Sequence, residues 1–112
     1  MLKSYRELQV WQRSIQLAAG FPRNEVYGLS SQMKRAAVSV ASNIAEGYGR
    51  LSTGEYRQFL AIARGSALEL QTQSEIAHRL EFGDRKLLDE AEALSEQVSK
   101  MLYAMIDKLK AN

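Results

Sequence analysis

Three arginines recur at intervals of seven residues in the middle of the chain: Arg50, Arg57 and Arg64. A guanidinium group can donate two parallel hydrogen bonds to a phosphate, so a row of arginines is a typical element of a phosphate-binding surface. On a helix, Arg57 and Arg64 would lie two turns apart on one face. With two basic residues upstream, they make up the candidate nucleic-acid-binding set: Lys34, Arg35, Arg50, Arg57 and Arg64.

A second pattern offers a structural use for the same arginines. Polar residues recur every three or four positions along an otherwise small and apolar segment, and a further glutamate follows downstream. Buried polar groups must be hydrogen-bonded, so these residues could form a network, within the chain or between subunits, that takes up the arginines. The candidate members of this structural polar network are Gln32, Ser39, Asn43, Glu46 and Glu69. Spacing alone favours this interpretation over phosphate binding.

Residues that could support catalysis or hold a metal are few. The chain has no cysteine and one histidine, His78, which follows Glu75 by three residues. That spacing places two potential metal ligands on one helical face, but di-iron bundles use two such motifs, and the second is missing here. Gly47-Tyr48-Gly49 resembles a phosphate-binding loop only in its glycines, which the end of a helix explains. We therefore expect no enzymatic activity, no cofactor and no metal site.

The composition of the 112 residues is that of an ordinary globular protein, with 46% apolar and 25% charged residues. This excludes an intrinsically disordered chain, and no apolar run approaches the ~18 residues that a membrane span requires. The first residues lack the apolar core of a signal peptide, so we expect one cytoplasmic domain over 1–112 with no membrane partner. The net charge is +2, and residues 1–50 carry seven Lys/Arg against three Glu, which permits an anionic partner without requiring one.

Hydrophobic periodicity predicts four helices, at about 5–19, 25–46, 52–82 and 84–110, the second of them beginning at residue 25 or 29. Ser52 and Glu55 form a capping-box pattern, and Asp84 is a good N-cap. Each of three predicted helices has an apolar stripe. On the first helix the stripe is Leu8, Trp11, Ile15 and Ala18, and on the third it is Tyr56, Phe59, Leu60, Ala63, Ala67, Leu70, Ala77 and Leu80. On the fourth helix the stripe is Leu87, Ala91, Leu94, Val98, Met101, Met105 and Leu109.

The second predicted helix consists mostly of small side chains, which let helix backbones approach closely. It should therefore lie between neighbours, with Gly47 and Gly49 closing it as C-terminal caps. Gly65, inside the third helix, should also have a structural role, such as permitting close approach by a neighbouring helix, because glycine costs ~1 kcal/mol relative to alanine in a helix. Four helices with short connections predict an all-α, antiparallel up-and-down four-helix bundle. Their unequal lengths should leave apolar surface that a second subunit could cover.

Residues spread over most of the chain carry a family resemblance. They are Leu8, Val10-Trp11-Gln12, Phe21-Pro22, Glu25, Tyr27-Gly28-Leu29, Ser31-Gln32, Arg35-Ala36-Ala37-Val38-Ser39, Ser42-Asn43-Ile44-Ala45-Glu46-Gly47-Tyr48-Gly49-Arg50, Glu55, Phe59-Leu60, Ala63-Arg64-Gly65-Ser66 and Glu69-Leu70. This pattern resembles the four-helix bundle proteins encoded in intervening sequences of bacterial 23S rRNA genes. The run at 43–50 is its most specific part. Only three residues separate Leu17 from Phe21, so the first helix should be about two turns shorter than is usual in that family.

The resemblance implies a bundle that assembles as a ring-like homopentamer and has no enzymatic activity. It also links the chain to the similar accessory variability protein of diversity-generating retroelements, a basic pentamer that binds nucleic acid and its reverse transcriptase. The first hypothesis is accordingly a non-catalytic homo-oligomer that binds RNA or DNA through a basic surface, with slight sequence preference because no surface aromatics are interleaved with the arginines. The alternative is a protein-interaction scaffold that uses its arginines in polar networks within or between subunits.

Overall fold

The computed structural model describes residues 4–19 and 28–110. A short 3-10 turn, Tyr5–Glu7, precedes four α-helices: α1 Gln9–Ala19, α2 Leu29–Tyr48, α3 Thr53–Arg79 and α4 Arg85–Lys110. Each helix packs against its neighbours in sequence, and α1 also packs against α4. The molecule measures 45 × 22 × 19 Å along its principal axes. The predicted all-α, up-and-down four-helix bundle is confirmed.

None of the described helices contains a stretch long and apolar enough to cross a bilayer.

Local hydrogen bonds set the first helix boundaries. The Ser4 hydroxyl accepts from the Arg6 N–H at 3.0 Å and starts the 3-10 turn. Leu8 is then extended, so α1 begins at Gln9 rather than at residue 5. Gly28 has φ 75° and directly precedes α2, which begins at the later of the two predicted starts. The earlier start, at residue 25, lies outside the described residues.

The long hairpin of α3 and α4 begins and turns at residues with identifiable roles. Ser52 accepts from the Glu55 N–H at 3.1 Å, as the capping pattern predicts. Asp84 Oδ1 likewise accepts from the Lys86 N–H at 2.8 Å and caps α4. The structure ends α3 at Arg79, three residues before the predicted end, because Glu81 takes φ 53° and the Phe82 N–H donates to the Ala77 carbonyl at 2.9 Å. The chain then turns through Gly83 at φ 81°.

The core consists of two clusters stacked along the bundle, one around Val40, Leu60 and Leu102, the other around Met33, Ala37 and Leu70. On α1 and α4, buried Ser14 and Ser95 occupy the positions between the clusters. Each serine hydroxyl donates to a carbonyl of its own helix, Ser14 to Val10 at 2.7 Å and Ser95 to Glu92 at 3.0 Å. With its donor satisfied, a buried serine packs as a small side chain.

These serines explain why parts of the predicted apolar stripes are wrong. On α4 the predicted stripe is right at Ala91 and Val98, which are buried, whereas Leu87 is 38% exposed. The stripe counted only apolar residues and missed Leu88, Ser95 and Leu102, which recur every seven residues on the buried face. The same happens on α1, where Val10, Ser14 and Leu17 are buried and Ile15 is 41% exposed. Leu80, at the end of the α3 stripe, is also exposed because it caps the helix.

Small residues bring α2 close to its neighbours, as predicted. Ala36, Ala37 and Ala41 are buried, and α2 packs between α1 and α3. Gly47 is not a C-terminal cap but a buried residue inside α2, where a Cβ atom would lie 2.7 Å from the Phe59 Cβ of α3. The predicted close approach at Gly65 is wrong for the described residues, because none of their neighbouring atoms lies within 4 Å of a Cβ atom built there.

The two glycines give opposite predictions for the same substitution. Gly47→Ala should lower the free energy of unfolding by ~1–3 kcal/mol, because the new methyl group overpacks the α2–α3 contact. Gly65→Ala should raise it by ~0.5–1 kcal/mol, because alanine is the better helix former and the site is open. Urea unfolding monitored by circular dichroism measures both changes. Equal effects of the two substitutions would contradict the close approach at Gly47, and a loss at Gly65 would place that residue in a contact between subunits.

Candidate nucleic-acid interface

The antiparallel packing of α3 and α4 places distant parts of the sequence side by side. The guanidinium carbon of Arg64 lies 5.1 Å from the centre of the Tyr103 ring. Further along the hairpin, His78 Nε2 lies 3.3 Å from Asp89 Oδ1 and 3.4 Å from Glu92 Oε2. The first half of α3 therefore faces the second half of α4. We call residues 50–66 and 98–110 the basal half of the hairpin and residues 67–97 its tip half.

Charge is divided unequally between these two halves. The basal half carries six Lys/Arg and two acidic residues, whereas the tip half carries three Lys/Arg and eight acidic residues. The basic residues of the basal half are Arg50, Arg57, Arg64, Lys100, Lys108 and Lys110. Two of these cations pair with carboxylates outside the segment, Arg50 with Glu46 at 3.1 Å and Lys100 with Glu96 at 3.3 Å. The remaining excess would attract an anionic polymer to the basal half of the hairpin rather than to its tip half.

Arg57 and Arg64 lie two turns apart on α3 and are both half-buried. The Nε atom of each is buried, and no hydrogen-bond acceptor for it lies within residues 4–19 and 28–110. No carboxylate in the same part of the chain forms an ion pair with either residue. Arg64 instead stacks on Tyr103, a favourable contact between a cation and an aromatic ring. The described residues therefore leave part of the bonding capacity of both guanidinium groups unused.

Arg50 is positioned differently from the other two arginines of the series. It precedes α3 and folds back towards α2, where its Nη2 lies 3.1 Å from Glu46 Oε1. Its guanidinium carbon lies 4.6 Å from the centre of the Phe59 ring. The Arg50 and Glu46 side chains are 41% and 55% exposed, so this pair adds little stability and leaves the arginine accessible.

The five candidate basic residues do not form one patch. Lys34 and Arg35 are exposed in the first half of α2, and Arg35 Nη2 donates to Ser31 Oγ at 3.4 Å. Arg35 precedes Glu46, the partner of Arg50, by eleven residues, or about 16 Å along a helix. The structure thus groups Arg50, Arg57 and Arg64 at the basal end and separates Lys34 and Arg35 from them.

The predicted polar network exists in reduced form between α2 and α3. Ser39 Oγ lies 2.9 Å from Ser66 Oγ, and Asn43 Nδ2 donates to the carbonyl and hydroxyl of Ser39 at 2.8 and 3.1 Å. Ser66 was not predicted, because nothing in the sequence shows which α3 residue faces Ser39. Gln32 and Glu69 are exposed and make no side-chain hydrogen bond within the described ranges. Glu46, the remaining predicted member, takes up Arg50. Among the described residues no predicted member takes up Arg57 or Arg64, so the structural use that spacing favoured accounts for one of the three arginines.

The Glu75 and His78 side chains serve as helix contacts rather than as a pair. Glu75 Oε2 accepts from Arg79 Nε at 2.9 Å, whereas His78 faces Asp89 and Glu92 of α4. Over the described ranges, no three His, Asp or Glu side chains are arranged to hold a metal ion. His78 therefore links the two helices of the tip half.

The comparisons with known proteins agree with this architecture. The family model of the 23S rRNA-intervening sequence protein matches residues 6–104. The chain belongs to the 23S rRNA-intervening sequence protein family. Its structure is similar to that of a protein of unknown function from the S23 ribosomal protein family of Bacteroides thetaiotaomicron, with a TM-score of 0.78 and 24% identity over 87% of this chain and 97% of the other. At that identity the likeness concerns the fold alone. No protein of curated function is significantly similar to the chain.

A tyrosine pair lies next to the basal arginines. The Tyr48 and Tyr56 rings meet edge to face with their centres 6.2 Å apart, where α2 ends and α3 begins. Burial, with a smaller contribution from Tyr48, raises the pKa of Tyr56 above its ordinary value of 10.0. Folding therefore favours the neutral phenol of Tyr56.

Stability should depend on this tyrosine at high pH. A raised pKa in the folded state means that the stabilisation is complete below the unfolded value of 10.0 and is lost as the pH rises through the folded pKa. Tyr56→Phe removes the ionisable group and should lose less stability than the wild type between about pH 9 and pH 11. Urea unfolding monitored by Trp11 fluorescence gives the comparison, and Tyr103→Phe controls for loss of a surface hydroxyl. Identical pH profiles of the wild type and Tyr56→Phe would show that ionisation of Tyr56 does not affect folding.

Proposed function

We propose that the chain is a non-catalytic, homo-oligomeric helical bundle that binds RNA or DNA through the basal half of its α3–α4 hairpin. One observation carries the proposal. Arg57 and Arg64 have no carboxylate partner within the described ranges, and they lie in a segment with six basic and two acidic residues. Nucleic acid offers phosphates at regular intervals, which suits cations that are spaced along a rigid helix.

The surroundings of these arginines suit phosphate binding in two ways. Half-burial of Arg57 and Arg64 restricts their rotamers before a ligand arrives, so less entropy is lost on binding. Partial desolvation also strengthens the attraction between a guanidinium group and a phosphate. Lys108 and Lys110 lie in the last turn of α4, at the same end of the bundle, and add charge without fixed geometry.

Self-association would multiply this small site. Each chain has a net charge of only +2, but several copies in one assembly present the same arginines repeatedly to one polymer. Large apolar side chains that are 40–48% exposed on α2 and α3 support self-association: Val38, Ile62, Leu68 and Ile76. The family resemblance implies five copies, and we adopt a homopentamer as the proposed assembly.

The second candidate function is a protein-interaction scaffold without nucleic-acid binding. The same exposed apolar side chains favour it, because they fit a protein surface better than a phosphate backbone. In that case Arg57 and Arg64 would bond to a second subunit or to another protein. The two candidates differ in whether a polyanion binds at low salt.

The oligomer is tested by molar mass in solution. Size-exclusion chromatography with light scattering should give a mass well above the 12.6 kDa of one chain, and five times that mass for a pentamer. The midpoint of thermal unfolding should rise with protein concentration, because assembly stabilises the folded chains by mass action. A monomer at micromolar concentration with a concentration-independent midpoint would exclude the proposed assembly.

Nucleic-acid binding is tested by its dependence on salt. The logarithm of the binding constant should fall linearly with the logarithm of the salt concentration, and Arg57→Ala should reduce the slope by about 0.7 for a single strand or about 0.9 for a duplex. Arg79→Ala is the matched control, because it removes the same charge from the same helix in the acidic tip half, where the Arg79 side chain is 80% exposed. Its slope should equal that of the wild type.

Two outcomes would contradict the proposal. If no RNA or DNA binds to the wild type at low salt, the scaffold is the better description. If Arg57→Ala and Arg79→Ala weaken binding equally, the attraction is to net charge and not to the basal half. Arg57→Lys keeps the charge but not the planar fork, and it should restore the salt slope with lower affinity.

A further inference from the structure

Tyr103 differs from the other aromatic residues in its exposure. It is 58% exposed on the basal half of α4, whereas the other described aromatic residues are only partly exposed: Tyr5, Trp11, Tyr48, Tyr56, Phe59 and Phe82. The sequence predicted no aromatic group among the arginines, because Tyr103 lies 39 residues beyond Arg64. The antiparallel hairpin brings the two together at 5.1 Å.

The contact with Arg64 makes Tyr103 a rigid platform. The ring is carried by a helix, and the guanidinium group covers part of it while most of the residue stays in solvent. An exposed, immobilised aromatic ring beside a cation is the arrangement by which proteins hold unpaired bases. The ring stacks on the base, and the cation binds the adjoining phosphate.

We propose that the ligand of the basal half is single-stranded nucleic acid, with one unpaired base stacked on Tyr103 and its phosphates bound by Arg64 and Arg57. This inference rests on the proposed nucleic-acid binding and specifies its substrate class. A duplex would satisfy the arginines, but its bases are stacked inside the double helix and cannot reach a side chain on a convex helix surface without flipping out. Tyr103 therefore distinguishes the single strand from the duplex.

Charge limits the length of strand that each subunit holds. Beyond Arg64 the hairpin enters its tip half, where eight acidic residues outnumber three basic ones. A strand that follows α3 from Arg57 to Arg64, about 10 Å apart at 1.5 Å per residue, would be repelled if it continued along the same line. Each subunit should then bind only a few nucleotides, and a longer strand should pass from one subunit to the next.

The test compares polyanions that differ in their bases. Fluorescence anisotropy would measure the binding of a labelled 12-nucleotide oligo(U), the same length of oligo(dT), a 12-base-pair duplex, and inorganic polyphosphate of similar charge as a competitor. Both single strands should bind at least tenfold more tightly than the duplex and should resist the competitor. A preference for oligo(U) over oligo(dT) would identify RNA as the source of the single strand, and equal affinity would mean that either serves.

Substitutions at Tyr103 separate stacking from a structural role. Tyr103→Phe keeps the ring and should bind like the wild type. Tyr103→Leu removes the ring and should weaken single-strand binding about tenfold, the usual effect of losing one stacked base, while duplex and polyphosphate binding stay the same. If Tyr103 merely positioned Arg64, Tyr103→Leu would weaken the binding of all polyanions alike.

The possible failures are distinguishable. If the wild type binds duplex or polyphosphate as tightly as a single strand, stacking on Tyr103 is wrong but nucleic-acid binding stands. If Tyr103→Leu melts like the wild type and binds single strands equally well, the inference also fails. If no polyanion binds at low salt, the proposed function and this inference fall together. The comparison of single strand with duplex uses the wild type only, so it holds even if a substitution unfolds the chain.

Discussion

The close contact between α2 and α3 is the constraint on which the rest of the bundle depends. Gly47 lies so near Phe59 that a single methyl group does not fit between the helices, and the Ser39–Ser66 hydrogen bond joins them two turns further along. These two contacts, about two helical turns apart, fix the position of α3 along α2. The face of α3 that packs against α2 does not carry Arg57 and Arg64, and Arg64 instead contacts Tyr103 of α4.

The second consequence of this architecture is the separation of charge along the bundle. In sequence order, the basic residues are in excess over 1–50 and the acidic ones over 51–112, a division that places Arg57, Arg64 and the C-terminal lysines in the acidic half. An antiparallel hairpin joins the start of its first helix to the end of its second. The excess of basic residues at the basal end of the hairpin therefore arises mainly within the half of the sequence that is acidic overall.

The sequence predicted what depends on local spacing and failed where two helices had to be brought together. Helix number, the caps at Ser52 and Asp84 and the small-sided α2 follow from residues a few positions apart. Counting only apolar residues found Ala91 and Val98 on the buried face of α4 but missed Ser95, whose hydroxyl donates to a carbonyl of its own helix. The Ser66 partner of Ser39 and the Tyr103 partner of Arg64 are 27 and 39 residues away, and no periodicity within one helix indicates them.

Stability alone does not account for the two basal arginines. A buried donor without an acceptor costs ~1–3 kcal/mol, and the stacking of Arg64 on Tyr103 offsets only part of such a cost. A leucine or methionine at either position would avoid that penalty. Under the proposed function, phosphates would bind the other N–H groups of the two guanidinium groups, which have no carboxylate partner within the described ranges.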